Sequence, residues 1–542
     1  MSQSTTLTRR RSKKLWLILA GAGTLAILGV LAFVAASLAS RYQPLIHDLA
    51  VEYLEQRFQA RVELGDFRVD LPKLSPVRLW LTRGKGTIAH VQGTSLVLHR
   101  LDASNAPPLL TAKSFSFDLD LGSVIAPPAV VPHMFVDGLE INVPPREATA
   151  APQNASALPG VGAKRPRFTL EQVAGTRIDD LDIVHGRLTI LPRDPTRAPL
   201  EFTIHELRLQ PTRTGNAMAY GVSLDNPKPP GIVKSQGTFG PWNAANPADS
   251  PVRGNYIFEN ADLGVFNAIA GKVSSTGNFS GTLGAIAVEG AAEVPDFRLK
   301  RSGNPVPLHT EFSAIVDGEN GNTTLHPIHA RLGKTQFVTS GTVMKREKDV
   351  RRSIEFDVDM AHGDIRDLLL LSMRGEPFLT GEIALKAHIV VPPLTGQVRE
   401  KLRFSGHFDI ESGQFLRVKV QKVLDELSRR GQGRPSDHSI EDVFSSMQGV
   451  FHLEDQNLNF ESLAFAVPGA GVKMHGSLAL DQDEMDFHGA IAMDARLSEM
   501  LTGWKRWLAK PIDPFFEKNG AGTYLRIKIG GSTKNPTFGL DH

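Results

Sequence analysis

The chain is 542 residues long, carries a formal net charge of +2 and contains no cysteine. Near-neutrality leaves no broad positive field of the kind that nucleic acid selects. The missing cysteines exclude disulfide frameworks, thiol nucleophiles and Cys-ligated zinc. Phenylalanine is abundant, 28 residues against 5 tyrosines and 5 tryptophans; a ring without a polar handle belongs to dry surfaces rather than to wet recognition ones.

Residues 1–14 carry Arg9, Arg10, Arg11, Lys13 and Lys14 and no acid, and residues 15–38 form an unbroken apolar run with no charge before Arg41. As a helix that run is roughly 36 Å long at ~1.5 Å per residue, enough to cross a ~30 Å hydrocarbon core with some tilt. The expectation is a single transmembrane helix, 15–38, after a cytoplasmic basic tail, 1–14. The positive-inside bias puts the rest on the non-cytoplasmic side. Ser37-Leu38-Ala39 is a tolerable signal-cleavage site, yet the run is longer than the about 7–15 apolar residues of a signal peptide, which favours a retained anchor. Residues 39–60 follow as a juxtamembrane amphipathic helix, with Leu45, Ile46, Leu49, Tyr53 and Leu54 at helical spacing.

Beyond Arg61 the dominant period becomes two. Phe115 to Leu121, Ile354 to Met360, Phe404 to Ile410 and Leu525 to Ile529 each alternate apolar and polar residues. Successive strand side chains point to opposite faces, so each segment has one greasy and one wet face, the pattern of antiparallel sheet. Turn signals recur at Asp317-Gly318, Gly321-Asn322, Asp455 to Asn457, Asp481 to Asp483 and Gly530-Gly531. Helices are expected only at Leu263–Ala270, Asp364–Met373, Val418–Arg430 and Leu497–Leu508. The Ala- and Pro-rich stretch Pro144–Arg167 reads as a linker, taken as 146–167, and Asn226–Gly254 as a long loop. This divides the outer part into an N-terminal β region (61–145), a central one (168–400) and a C-terminal one (401–542).

Catalytic signatures are absent from this reading. There is no Gly-x-Ser-x-Gly elbow and no phosphate-binding Gly-x-x-x-x-Gly-Lys-Ser/Thr loop, and His205-Glu206 lacks the second histidine of a zinc-binding helix. His326 and His329, three apart on a strand, should face opposite sides and not share a metal. Asp481, Asp483, Glu484 and Asp486 lack the EF-hand spacing and read as a hairpin turn. No enzyme, cofactor or metal is expected.

The layout resembles the AsmA-like family of bacterial envelope proteins, relatives of the bridge-like lipid-transfer proteins. Over residues 8–145 the resemblance rests on the basic start, the single span, "LEQRFQARVELGDFRVDL", "PPLLTAKSFSFDLDLGSVIA" and "VDGLEINVP". Over 401–542 it rests on "FSGHFDIESGQF", "FSSMQGVFHLEDQNLNFESLAFAVPGAGVKMHGSLALD" and "YLRIKIGGSTKNPTFGLD". The helix at Val418–Arg430 is more basic than the family pattern. The resemblance implies an inner-membrane anchor, a periplasmic body and work on phospholipids or outer-membrane assembly.

The fold expected is therefore mainly β with a few short helices: an N-terminal transmembrane helix, then an elongated, curled antiparallel sheet forming an apolar groove. An acyl chain of about sixteen carbons crossing water exposes methylenes at about 0.8 kcal/mol each, roughly 13 kcal/mol in all, so a carrier must offer a continuous apolar surface. The expected liners are Phe115, Phe117, Leu119, Leu121, Phe356, Val358, Phe404, Phe408, Met474, Leu478, Phe487, Ile491 and Ile527, against the alternative that each packs a closed core. Expected partners are membrane phospholipids and envelope proteins, with no nucleic acid. Two other classes stay open: an assembly factor pairing outer-membrane strands with an exposed sheet edge, and a tethered hydrolase with a diffuse site.

Overall fold

The computed structural model describes residues 47–48, 51–52, 54–55, 60–70, 88–100, 107–120, 130–143, 177–191, 199–212, 217–241, 247–300, 303–318, 321–345, 352–393, 398–503, 505–518, 520–532 and 535–541. The basic tail, the apolar run 15–38 and the linker 146–167 lie outside them. Among the described residues no helix is long and apolar enough to cross a membrane. Strands dominate, as the alternation predicts, and the protein is mainly β. It divides into one unit of residues 1–259 with 278–284 and another of 260–277 with 285–542.

In the first unit the long strand Ile88–Arg100 pairs antiparallel with two short strands, Ala60–Glu63 and Phe67–Asp70, and on its other side with Leu110–Asp120. Leu110–Asp120 then pairs with Met134–Asp137 and Glu140–Val143. These two short strands meet Leu181–Ile190 in parallel, so the sheet is mixed rather than purely antiparallel. The reason lies in the connection. Parallel neighbours need a crossover of a dozen or more residues, and the stretch read as a linker falls within that return, so it joins two strands of one sheet. From Leu181–Ile190 onward the ladder is antiparallel through Leu200–Pro211, Met218–Pro227, Pro230–Phe239 and Pro251–Asp262.

Those last strands overturn the loop expected at Asn226–Gly254. Its prolines sit where they cost the ladder little: Pro227 and Pro230 are register partners at a tight turn, the strand-end position that tolerates a missing N–H. Gly237 and Gly254 lie opposite each other. A Cβ on Gly254 would come 2.6 Å from the Tyr220 hydroxyl, so this glycine marks a close approach rather than a break in the strand.

The core of the first unit is closed. Val91, Leu96, Leu98, Leu110, Phe115, Phe117, Leu119, Met134 and Leu181 are each no more than 2 % exposed. Leu54, in the helical stretch expected to be amphipathic, is fully buried in the same cluster.

The second unit is an antiparallel meander. Strand follows strand from Ala285–Val294 through Leu308–Val316, Thr323–Leu332, Thr335–Met344, Ser353–Asp364, Leu379–Val391 and Arg403–Phe415. It continues through Ser445–Glu454, Asn457–Val467, Ala470–Ala479, Glu484–Met493 and Thr523–Gly531 to Pro536–Leu540. Two expected helices are present. Ile365–Ser372 starts at an Asp364 N-cap whose side chain accepts from the Arg366 N–H. Val418–Gly431 matches its expected span. The other two differ. Leu263–Val265 is a single 3-10 turn capped by Asp262 before the short strand Ile269–Ala270. In the Leu497–Leu508 stretch the helix is confined to Lys505–Ala509, because a turn fixed by Asp513 comes first: its carboxylate accepts from the Ser498 N–H at 2.8 Å and the Ser498 hydroxyl at 2.7 Å.

Asp367 is the polar pin of this unit. Buried on the Ile365–Ser372 helix, its carboxylate accepts from the backbone N–H of Lys334 (2.8 Å) and of Thr335 (3.0 Å) and from the Thr335 hydroxyl (2.9 Å). Asp367→Ala orphans those donors and should destabilise the unit by about 2–3 kcal/mol, read as a lowered denaturation midpoint. An unchanged midpoint would contradict the pinning.

Candidate functional site

Cross-strand registers from Ser353–Asp364 to Pro536–Leu540 align apolar residues in continuous rows on one face. One row runs Phe356, Ile389, Phe404, Leu453, Leu458, Leu478, Met485. The next runs Val358, Ala387, Gly406, Phe451, Phe460, Gly476, Phe487, Ile529, Phe538. A third holds Met360, Leu385, Phe408, Gly449, Leu463, Met474, Gly489, Ile527 and Leu540, and a fourth Ile383, Ile410, Met447, Phe465, Val472, Ile491 and Leu525. Every member is apolar or glycine. Register-matched rows on one face are what period-two alternation produces once strands pair in frame.

The aromatic rings form a chain along this face. Phe404 and Phe451 lie 4.8 Å apart between centroids, Phe408 and Phe451 6.2 Å, Phe451 and Phe460 6.5 Å, and Phe460 and Phe487 5.9 Å. The glycines make room for large neighbours: a Cβ on Gly449 would come 2.8 Å from the Phe408 ring, and one on Gly489 2.7 Å from the Met474 side chain. Mid-strand glycine here marks a side chain lying flat across the adjacent strand.

This face is not a closed core. Phe451 and Phe487 are buried, at 7 % and 8 % exposed, but Phe356, Phe404, Phe408, Leu458, Phe460, Leu463, Met474, Leu478, Ile491 and Ile527 are only partly buried. Toward the fourth row it is covered by helices. Leu368 and Leu369 of Ile365–Ser372 pack with Met360, Ile383 and Ile410, and Leu424 of Val418–Gly431 packs with Val467, Ala470 and Met493. At the last strand it is bare, with Phe538 75 % exposed and Leu540 61 %.

The opposite face of the same strands is polar and laced with ion pairs: Lys386 with Asp359 at 3.1 Å, His388 with Asp357 at 2.7 Å, Arg403 with Glu454 at 2.9 Å and Lys528 with Asp486 at 3.2 Å. Such exposed pairs are screened by water and salt and serve solubility more than stability. The hydrogen bond from Lys528 holds the Asp486 carboxyl below the usual carboxylate range, and that from His488 does the same for Asp541. A carboxyl whose folded value is depressed stabilises above its unfolded value, near pH 4, and loses that contribution as pH falls through the folded value. Acidification below about pH 4 should therefore release the Pro536–Leu540 strand first, seen as loss of amide protection at Thr537 and Gly539, whose N–H groups face the neighbouring strand, before the Ser353–Asp364 strand changes. Simultaneous loss at both strands would contradict this.

The expected liners separate into two groups. Phe356, Val358, Phe404, Phe408, Met474, Leu478, Phe487, Ile491 and Ile527 share the half-open face of the second unit. Phe115, Phe117 and Leu119 lie in the closed core of the first, where they pack against other protein side chains; Leu121 is outside the described residues. Alternation missed Ile389, Leu453, Phe451, Phe460 and Leu463. Register shifts such as that between Phe460 and Leu463 reverse the parity, so two residues three apart share a face. A similar shift between Leu325 and Ile328 leaves both His326 and His329 exposed, rather than on opposite faces.

Two other clusters are less suited to a ligand. A recess of about 500 Å³ beside Val51 is lined by Asp48, Glu52, Glu55 and Glu63, an acidic wall that would repel a phosphate. Atoms of His133, Asp180 and Asp182 lie within 4.8 Å of one another. The oxygens of Asp180 are already taken by Arg208 at 2.8 Å and 3.3 Å and by Gln210 at 3.2 Å. Burial pulls the Asp180 carboxyl up, but these hydrogen bonds outweigh it and hold the group below its ordinary range. This cluster is an ion-pair network with its cation built in. Compared with known proteins, the chain matches no family model, no curated protein and no solved structure.

Proposed function

We propose that this protein is a membrane-anchored, non-enzymatic lipid-handling protein of the bacterial envelope, periplasmic in its bulk, which holds phospholipid acyl chains against the half-open apolar face of its second unit. The observation that carries this reading is the set of in-register apolar rows, left partly exposed over most of their length. Monomeric soluble proteins rarely leave a large contiguous apolar patch open unless something binds it. The face is suited to methylene chains because it is apolar in two dimensions and offers almost no hydrogen-bond partners along the rows. A headgroup would remain at the polar margin. The apolar run 15–38 and the resemblance to AsmA-like proteins supply the anchor and the compartment. Full-length protein purified in a detergent with no phospholipid should carry phospholipid that organic extraction and mass spectrometry identify in near-stoichiometric amount. Protein that is lipid-free, yet folded by circular dichroism, would overturn the proposal.

A second reading has its own observation. Pro536–Leu540 pairs with Thr523–Gly531, and no further strand pairs with it among the described residues. It is exposed along its whole length. An open edge is a template for an added strand, as an assembly factor for outer-membrane proteins would need. Pairing of that kind uses backbone groups, and in this register the Phe538 N–H points outward, so Phe538→Ser should leave it intact while Phe538→Pro weakens it; crosslinking of Asp541 to client strands reads the difference.

A further inference from the structure

We propose that the exposed segment Lys505–Phe516 docks onto the surface of an anionic phospholipid bilayer. It comprises the helix Lys505–Ala509, the 3-10 turn Lys510–Ile512 and the helical turn Asp513–Phe516. Its inner side is fixed. Ala509 and Asp513, four apart, are buried, Asp513 is bonded to Ser498, and Glu517 pairs with Arg496 at 2.9 Å. The outer side is therefore set as well, and it is apolar: Trp507 is 71 % exposed, Leu508 65 %, Ile512 43 % and Phe515 84 %. Leu508, Ile512 and Phe515 come one from each of the three turns, spaced four and three residues apart, and all are exposed. Among the described residues of the second unit none buries these side chains.

The charges name the occupant. Lys505, Arg506 and Lys510 flank this apolar side and are exposed, and among the described residues no carboxylate pairs with them. Lys510 Nζ sits 4.3 Å from the centre of the Trp507 ring. Aromatic rings at headgroup depth, apolar side chains below and bases above are the composition of a segment lying in a membrane interface. A protein partner would need a matching acidic rim. A bilayer with anionic headgroups supplies that rim everywhere on its surface.

The same rim of the unit carries a second piece of similar chemistry. The strands Arg403–Phe415 and Glu484–Met493 both end toward it, and the Val418–Gly431 helix begins there with Val418 and Val423 67 % and 64 % exposed beside Lys419 and Lys422. Leu424 of that helix packs in one cluster with Met493, Ala495 and Met500, and Asp513 of the docking segment bonds Ser498, which lies between the last two in the chain. Docking would therefore bring the rim of the apolar face to a lipid surface. That is a route for acyl chains if the face carries them, but the docking itself requires only the segment.

The chain has no cysteine, so Phe515→Cys and Leu508→Cys can each carry a single environment-sensitive fluorophore in the full chain. The labelled protein is mixed with vesicles of phosphatidylcholine alone or with phosphatidylglycerol added. The expected result is a blue-shifted emission at both positions, quenched by doxyl-labelled lipid, only with the anionic vesicles; a label at Ser477→Cys on the polar face stays water-like. Replacing Lys505, Arg506 and Lys510 together by Gln should lower the docked-to-free ratio by on the order of 100-fold. A blue shift that doxyl lipid does not quench means that protein, another copy or another segment, covers the apolar side, and overturns the proposal. Water-like emission at both positions with both vesicles overturns it too.

Discussion

Phe117→Ala should destabilise the first unit by about 3–5 kcal/mol, measured as a fall in its denaturation midpoint followed by amide protection in the Leu110–Asp120 strand. The effect is large because Phe117 is 1 % exposed, lies against Phe115 with ring centroids 6.5 Å apart, and faces Val91 and Met134 across the two neighbouring strands. Removing the ring leaves a cavity that side chains on three strands and the Leu54 helix cannot fill without moving. Phe460→Ala is the internal comparison. It sits in the half-open face with rings 6.5 Å and 5.9 Å away, and part of its surface is already in water, so about 1–2 kcal/mol is expected. Equal costs at the two positions would mean that the face of the second unit is as closed as the core of the first.

Leu458→Asp should abolish acyl-chain binding while the second unit stays folded. Leu458 lies between Leu453 and Leu478 in the first row and is partly exposed, so a carboxylate there keeps water within reach and does not force an unpaired charge into a core. A chain laid along that row loses contact with about three methylenes, at about 0.8 kcal/mol each, and meets a charge it cannot solvate. Lipid occupancy should fall by at least about 100-fold, with little change in the circular dichroism spectrum. Leu458→Met keeps the apolar surface and should retain lipid. If Leu458→Asp unfolds the unit, the row is ordinary core. If it leaves co-purified lipid unchanged, the acyl chains lie elsewhere.

The strand-rich character of this protein was legible because period-two alternation survives in many segments. Phe115 to Leu119, Ile354 to Met360 and Phe404 to Ile410 all fall within strands, on the faces their parity assigns. The capped helix at Asp364 was legible for an equally local reason, since the cap is a side chain bonding a backbone N–H two residues on. What alternation could not convey is whether a greasy face is covered. Phe117 and Phe404 have the same local pattern, yet Phe117 is 1 % exposed in a cluster that draws in Leu54 and Leu181 from distant parts of the chain, while Phe404 is only partly buried. Coverage is a tertiary property with no counterpart in the period. Parallel pairing was hidden for a similar reason: Leu181–Ile190 reads like any other strand, and only its long connection allows it to run alongside Met134–Asp137. Between Asn226 and Gly254, prolines and glycines carry turn signals that pairing overrode, because each occupies a ladder position that does not need what it lacks.

The most direct test is a photo-crosslinking scan in living cells of the source organism or a related host. A photoreactive side chain is placed singly at Phe404, Leu458, Leu478 and Ile527 on the apolar rows, at Ser405 and Ser477 on the polar face, and at Phe117 in the closed core. Phospholipid adducts at the four row positions, with none at Ser405, Ser477 or Phe117, are the expected result. Adducts spread equally over both faces, or absent from the rows while the protein remains folded, would contradict acyl-chain binding by the half-open face.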